Sequence, residues 1–219
     1  MIRKATKGAS KGLAAVLVSG VAMSLAACVS VLPEAAPAAP RFGVNDIEPT
    51  SPVKAPVTWR LSIDDPLATR AIDSTKIALT KNGHQFQYYS GGEWADRAPR
   101  LFQAALIRSF QNTDGIVGVG SRSTQPIADY ILQTDLRAFE AKSASGELQA
   151  VVEIYARVTN IRGKTFSAKR FRQERSIGSD TAVNVAGALN GASGEIIEEM
   201  IDWSIASIET AEAAKSFRP

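Results

Sequence analysis

The residues of this chain that could perform acid–base or nucleophilic chemistry are few and widely separated. His84 is the only histidine among the 219 residues, so a Ser-His-Asp arrangement would have to use it. It directly follows Asn82-Gly83, a dipeptide typical of a tight turn, and a turn is a poor place from which to orient an imidazole ring. We therefore expect His84 to be a solvated turn residue, and we expect the protein to have no catalytic residues.

Metal and phosphate sites have equally weak support. With one histidine and one cysteine, Cys28, a metal site would depend on carboxylates. The neighbouring acids Asp64 and Asp65 could hold calcium, but such a pair is more often a solvated strand end. The glycines within residues 115–120 follow a predicted helix and lack the Lys-Ser/Thr of a phosphate-binding loop. We expect no metal and no cofactor.

Three aromatic residues remain as candidates for a binding surface: Tyr88, Tyr89 and Trp94. Tyrosine and tryptophan are enriched among the residues that anchor protein interfaces. Two interpretations stay open. Either Tyr88 and Trp94 belong to the hydrophobic core, or part of this group, Tyr89 above all, faces a partner.

Cys28 follows a leader built like a secretory signal. Residues 1–27 begin with basic side chains, continue with an apolar run from residue 13, and end in Leu-Ala-Ala directly before the cysteine. The apolar run is too short and too rich in small residues for a comfortable membrane span. The ending resembles the lipobox at which bacterial lipoproteins are cleaved and acylated, and a sole cysteine has no partner for an internal disulfide. An ordinary signal peptide followed by a chance cysteine is the alternative.

Acylation of Cys28 would fix the protein to a membrane. Chains such as palmitate anchor firmly because each buried methylene contributes about 0.8 kcal/mol. The residue after the cysteine is Val29 rather than aspartate. By similarity to enterobacterial sorting, this favours the outer membrane, with the protein facing the periplasm.

The basic character of the chain belongs to its leader. The sequence has 25 Lys and Arg against 22 Asp and Glu, a net charge of +3. Four of the basic residues precede position 12, so the remainder has 21 basic against 22 acidic residues, or about −1. Such a balance gives no electrostatic footprint for nucleic acid, and we expect no nucleic-acid partner.

The elements that would position these residues form one α/β domain. Apolar residues at three- and four-residue spacing predict a helix that ends near Phe110, with Asp96 as its cap, and a closing helix over Thr181–Ile208. We expect a mixed sheet of five to six strands packed against these two main helices. The pattern predicts strands at Trp59–Ile63, 116–119, Ala128–Ala141, Val152–Thr159 and Thr165–Arg175, the last as an edge or exposed strand. It also predicts a two-stranded hairpin over Lys76–Tyr89 and a short helix over Leu67–Ile72.

The hairpin has a specific predicted register. A two-residue turn at Asn82-Gly83 pairs Leu79 with Phe86 and Ile77 with Tyr88, all on one buried face.

The domain boundaries follow from composition. Residues 28–56 hold six of the ten prolines and predict an extended tether, with a short first strand expected at 41–44. The domain covers 57–208, and residues 209–219 are expected to be a flexible tail.

The stretch from Tyr88 to Phe110 resembles the ABC-type transport auxiliary lipoprotein family. The resemblance rests on the Tyr88-Tyr89 pair, a small loop, Trp94-Ala95, Pro99 and the Leu-Phe-x-x-x-Leu pattern at 101–106, and it extends from about residue 59 to residue 208. It implies a non-catalytic periplasmic partner of an ABC permease and ATPase whose substrate-binding subunit carries an MCE domain. Such systems move lipids or other hydrophobic molecules between the inner and outer membranes.

Other functions and states stay open on the sequence. One is a cell-envelope assembly lipoprotein that binds peptidoglycan or an outer-membrane protein. A lipid-anchored hydrolase is disfavoured by the missing nucleophile–base set. Homo-oligomerisation also stays open.

Overall fold

A nine-stranded mixed sheet and two helices make up the described part of the chain. The computed structural model describes residues 38–50, 56–113, 115–116, 118–144 and 146–216. Cys28, the predicted signal sequence and residues 29–37 and 51–55 of the predicted tether lie outside these residues. The elements are β1 (Arg41–Phe42), β2 (Leu61–Ile63), β3 (Leu67–Ala68), β4 (Lys76–Lys81), β5 (Gln85–Trp94), α1 (Ala98–Gln111), β6 (Val119–Ser121), β7 (Tyr130–Ala144), β8 (Glu147–Thr159), β9 (Thr165–Ser176) and α2 (Ala182–Ser216).

Strand β7 is the centre of the sheet. Its first part pairs in parallel with β2 and β3, and its last part pairs in parallel with β4. On its other side β8 runs antiparallel along its whole length, and β9 follows β8 in the same way. Strands β5 and β1 extend the sheet beyond β4, and β6 extends it beyond β2. The fold is therefore α/β, with more strands than the sequence predicts.

The two faces of the sheet differ in what covers them. The apolar residues of β8 alternate with polar ones, and Val152, Ile154, Ala156 and Val158 are fully buried under the helices. The intervening residues, such as Tyr155 and the exposed Arg157, lie on the opposite face. This is the pattern of a sheet with one packed and one solvated face, as predicted. We call the second face the outer face.

The N-cap of helix α1 lies one residue later in the chain than predicted. Its N-cap residue is Arg97, and no side chain caps the helix, so the prediction of Asp96 as the cap is wrong. The Asp96 carboxylate instead accepts a hydrogen bond from the adjacent Arg97 N–H at 2.7 Å. The Arg97 guanidinium donates two hydrogen bonds to Asp73, at 2.5 and 2.6 Å, which ties the start of the helix to the turn before β4.

Helix α2 is continuous through its glycines and longer than predicted. The apolar stripe predicted at Val185, Leu189, Ile196, Met200 and Trp203 faces the core: the first four are fully buried, and Trp203 is partly buried and packs against the core. The prediction that the helix ends at residue 208 is wrong, because it continues to residue 216. Two contacts hold this last part: Ala211 is buried, and the Glu212 carboxylate accepts a hydrogen bond from the Tyr130 hydroxyl at 2.5 Å. Residues 217–219 lie outside the described part.

The short segment after β2 is a strand and a turn rather than the predicted helix. Leu67 and Ala68 pair with Asp135 and Leu136 of β7, so the first residues of the segment are taken up by the sheet. The chain then turns, and the Asp73 N–H donates to the Thr69 carbonyl at 2.8 Å. A two-residue strand leaves no periodic signal, which explains why the sequence does not predict β3.

The β4–β5 hairpin is shifted by one residue from its predicted register. Thr80, not Leu79, lies opposite Phe86, and Ala78 lies opposite Tyr88. The shift arises because His84 belongs to the turn, where its N–H donates to the Lys81 carbonyl at 3.3 Å. A one-residue shift transfers every side chain to the other face of the strand.

Residues 41–47, which the sequence assigns to the tether, contact the sheet and the helices. The predicted short first strand is confirmed as β1, which pairs in parallel with the end of β5. After β1, the Asn45 N–H donates to the Asn190 side chain at 2.8 Å, and the Ile47 N–H donates to the Ser109 hydroxyl at 2.9 Å. Within the described ranges, no helix is long and apolar enough to cross a membrane.

Candidate partner-facing surface

Trp94 lies in the core and is not available to a partner. Its side chain is 1% exposed, and its ring lies 5.1 Å from the ring of Phe139 on β7. The backbone N–H of Trp94 donates to the Thr75 carbonyl at 2.7 Å. Trp94 therefore fixes the end of β5 to the sheet and follows the core interpretation.

Tyr89 joins β5 to the start of α2. Its hydroxyl donates a hydrogen bond to the Asp180 carboxylate at 2.6 Å, two residues before the helix begins. Partial burial, followed by this contact with the Asp180 carboxylate, raises the pKa of Tyr89 well above its usual value, so the phenol stays protonated. The ring also packs against the core, so Tyr89 is only partly on the surface.

Tyr88 and Phe86 form an exposed aromatic pair on the outer face. They are 42% and 50% exposed, and they are two residues apart on β5, so both side chains point to the same side of the sheet. The Lys76 ammonium lies 5.5 Å from the centre of the Tyr88 ring. We call these two residues the Phe86–Tyr88 pair. The core interpretation of Tyr88 is wrong, because its side chain is exposed; its role in facing a partner stays a prediction.

The sequence does not predict Phe86 as a surface residue. The Asn-Gly turn signal predicts that Phe86 pairs with Leu79 inside the core. A signal for the alternative was present in β4, where four successive residues, Ile77 to Thr80, are apolar or small. In the structure all four side chains are buried, so β4 does not alternate between buried and exposed positions. A strand buried on both faces carries no information about register.

Two shallow hollows on the surface meet at Asp64 and Asp65. They have volumes of about 400 and 720 Å³. The Asp64 carboxylate accepts two hydrogen bonds from Arg122, at 2.9 and 3.0 Å, so it serves to hold the loop after β6. Among the residues that the structure describes, no group of three or more His, Cys, Asp and Glu is placed to bind a metal ion.

His84 lies in an exposed turn, as expected. Its Nδ1 is 2.8 Å from the Asn82 carbonyl oxygen of the same turn. Among the described residues the imidazole has no hydrogen bond or ion pair with a nucleophile or a carboxylate, so it is not part of a triad there.

Comparison with known proteins identifies the family. The sequence profile of the ABC-type transport auxiliary lipoprotein component matches residues 44–201, well over half of the chain. The chain belongs to this family. The family is described as an auxiliary lipoprotein component of ABC-type transport.

Two solved structures share the fold, and neither they nor a sequence relative adds a function. An uncharacterized protein of Bradyrhizobium diazoefficiens, bll6063, is 25% identical over 157 residues; the match covers 72% of this chain and 42% of that protein. The crystal structure of XCC0632 from Xanthomonas campestris superposes with a TM-score of 0.74 at 24% identity, covering 80% of this chain and 99% of that one. A second solved structure, of an uncharacterized protein, has a TM-score of 0.56 at 15% identity and covers 71% of this chain and 98% of that one.

Proposed function

We propose that this family member is a non-catalytic component of an MCE-associated ABC transport system, which moves lipids or other hydrophobic molecules between the inner and outer membranes. The observation that carries the proposal is the family match over residues 44–201. An acylated Cys28 would hold the protein in the outer membrane, with its domain in the periplasm. There it would contact the MCE-domain subunit of the permease and ATPase complex.

The geometry of the described residues supports a role through contact rather than turnover. His84 lies in a solvent-exposed turn, and Asp64 is paired with Arg122. The exposed aromatic side chains of the Phe86–Tyr88 pair are of the kind that anchor protein interfaces. We include this pair in the proposed contact surface with the transporter.

Affinity purification from detergent-solubilised envelopes tests the proposal. We expect the wild-type protein and His84→Ala to recover an MCE-domain subunit, and Cys28→Ser to lose it together with membrane association. Mass spectrometry of the mature N terminus checks acylation of Cys28 directly. Recovery of only peptidoglycan or an outer-membrane barrel would instead support an envelope-assembly lipoprotein. Hydrolysis of an ester or glycan that His84→Ala abolishes would refute the non-catalytic role.

A matched pair of variants tests the contact surface itself. Tyr88→Asp places a charge in the Phe86–Tyr88 pair, and Ile127→Asp places one at another exposed apolar residue, 70% exposed, in the loop before β7. We expect only Tyr88→Asp to reduce recovery of the transporter subunit. Equal recovery with both variants would remove the pair from the contact surface while leaving the transport role untouched.

A further inference from the structure

Strand β9 is a long open edge of the sheet. It is twelve residues long and pairs with β8 from Thr165 to Ser176. Within residues 38–50, 56–113, 115–116, 118–144 and 146–216, no strand pairs with its other side. An edge strand presents a row of backbone N–H and C=O groups that can pair with another strand.

The hydrogen-bond pattern shows which residues present these groups. Just beyond β9, the Ile177 N–H donates to the Leu148 carbonyl at 3.1 Å. Hydrogen-bonded and non-bonded pairs alternate along an antiparallel ladder, so every second residue back from Ile177 also faces β8. The residues between them direct their N–H and C=O groups to the open side. These are Ala168, Arg170, Arg172, Glu174 and Ser176.

The charge of β9 restricts what can pair there. The strand carries four cationic residues and one acidic residue, a net charge of +3. The partners of Lys169 and Arg175 are glutamates of α2, and those of Arg170 and Arg172 include Glu153 of β8, so these acids all lie behind the edge. Positive side chains on an edge hinder the addition of neutral or basic strands.

A second copy of the chain is a poor match for this edge. Two antiparallel β9 strands would bring a charge of +3 against another +3. With Arg172 at the centre, Arg172 would face its own copy and Lys169 would face Arg175, although Arg170 would face Glu174. Like charges directly opposite each other destabilise a strand pair. An acidic strand meets the same positions with favourable charge.

We propose that β9 accepts an extended, acidic segment of a partner protein as an additional strand of the sheet. Backbone hydrogen bonds to the five outward-facing residues would provide the affinity, and the basic side chains would select the partner. The proposal concerns the domain itself and stands whichever transport system the protein serves.

Hydrogen exchange of the full chain with a synthetic peptide tests this pairing. The probe is a capped peptide in which glutamate alternates with valine, and its control replaces glutamate with lysine. We expect the glutamate peptide to slow exchange at Arg170, Arg172 and Glu174. The amides of Phe171 and Gln173, which already face β8, should not change. The lysine peptide should have no effect.

Two variants and one control distinguish the contribution of side-chain charge to peptide binding from that of backbone hydrogen bonds. Arg170→Glu should weaken binding of the glutamate peptide about tenfold, because it replaces an attraction with a repulsion of similar size. Arg100→Glu makes the same change on the exposed surface of α1 and should leave binding unchanged. Ala168→Pro removes one outward N–H without touching the β8 ladder and should weaken binding as well. Unchanged exchange in β8 confirms that each variant is folded.

Three results would overturn the proposal. The first is unchanged exchange at the outward amides with the glutamate peptide. The second is equal binding of the glutamate and lysine peptides. The third is slowed exchange at these amides that depends on protein concentration without peptide and accompanies a dimer in analytical ultracentrifugation, which would assign the edge to a second copy.

Discussion

Phe86 and Phe139 offer a direct test of the hairpin register and of the surface it creates. Phe86 would be a core residue in the register predicted from the sequence. In the structure Phe86 is 50% exposed on β5, whereas Phe139 is 1% exposed on β7. The same substitution to alanine at both positions should therefore have very different effects on the free energy of unfolding.

The expected magnitudes follow from burial. Phe139→Ala should destabilise the protein by about 3–5 kcal/mol, the usual range for a buried phenylalanine, and by more if the contact with Trp94 adds its share. A half-buried aromatic ring removes roughly 100 Å² from water, equivalent to about 2.5 kcal/mol at 25 cal/mol per Å². An alanine side chain still buries part of this area, and the unfolded chain already shields part of it from water. Phe86→Ala should therefore lower the free energy of unfolding by about 1 kcal/mol.

Urea denaturation of the purified variants measures both values. A loss for Phe86→Ala as large as that for Phe139→Ala would show that Phe86 is in the core and would refute the register. Cysteine labelling in a Cys28→Ser background gives an independent check. We expect Phe86→Cys to react quickly with a maleimide and Leu79→Cys, at a position that is 5% exposed, to react slowly.

Two further predictions concern glycines and an ion pair. A Cβ at Gly120 would lie 2.5 Å from the Thr124 hydroxyl oxygen, so Gly120→Ala should destabilise by about 1–3 kcal/mol in urea denaturation. Gly187→Ala, with nothing within 4 Å of the new carbon, should stabilise α2 by up to about 1 kcal/mol, and the same sign for both would contradict the packing. Lys215, followed by Tyr130, lowers the pKa of Glu212, so this carboxylate stabilises the fold above its unfolded-state pKa and loses that effect as the pH falls through its folded-state pKa. Glu212→Gln should therefore be less stable than wild type at neutral pH, and the difference should shrink in acid; a difference independent of pH would refute this.

Long periodic elements could be predicted from the sequence. Strand β8 alternates buried apolar residues with more exposed ones from Val152 to Val158, and α2 repeats its apolar stripe over several turns. Such patterns arise because one face is packed and the other is solvated. The many basic residues of β9 likewise predict its position at an edge, and this prediction is confirmed.

The surface site could not be predicted because local signals conflict there. The Asn-Gly pair does provide the turn, since Asn82 and Gly83 have φ of 51° and 76°. Yet the paired strands begin only at Gln85, and one extra turn residue reverses the faces of β5. Further along, Lys76 pairs with Glu93, so four residues of β5 bulge against the single residue Ile77. Long-range pairing with β7, rather than the turn, determines which side chains of β4 face the helices.

The glycines of α2 show how tertiary contacts offset an unfavourable local sequence. Each glycine weakens an isolated helix by about 1 kcal/mol relative to alanine. A side chain at Gly191 would collide with the Arg175 guanidinium, which crosses the helix there to bind Glu195. A Cβ at Gly194 would lie 3.4 Å from the Ile47 side chain. Glycine at 191 therefore gives room to a cross-link from β9, whereas a Cβ at 194 would only make an ordinary contact with the segment after β1.

This packing has a consequence for the proposed anchor. The backbone N–H groups of Asn45 and Ile47 are bound by side chains of α2 and α1, and Thr50 donates to Glu198 of α2 at 2.5 Å. The chain entering the domain is thus bound first to β5 through β1 and then to both helices. If Cys28 is acylated as proposed, a pull from the membrane acts on the sheet and the helices together rather than on a loose end.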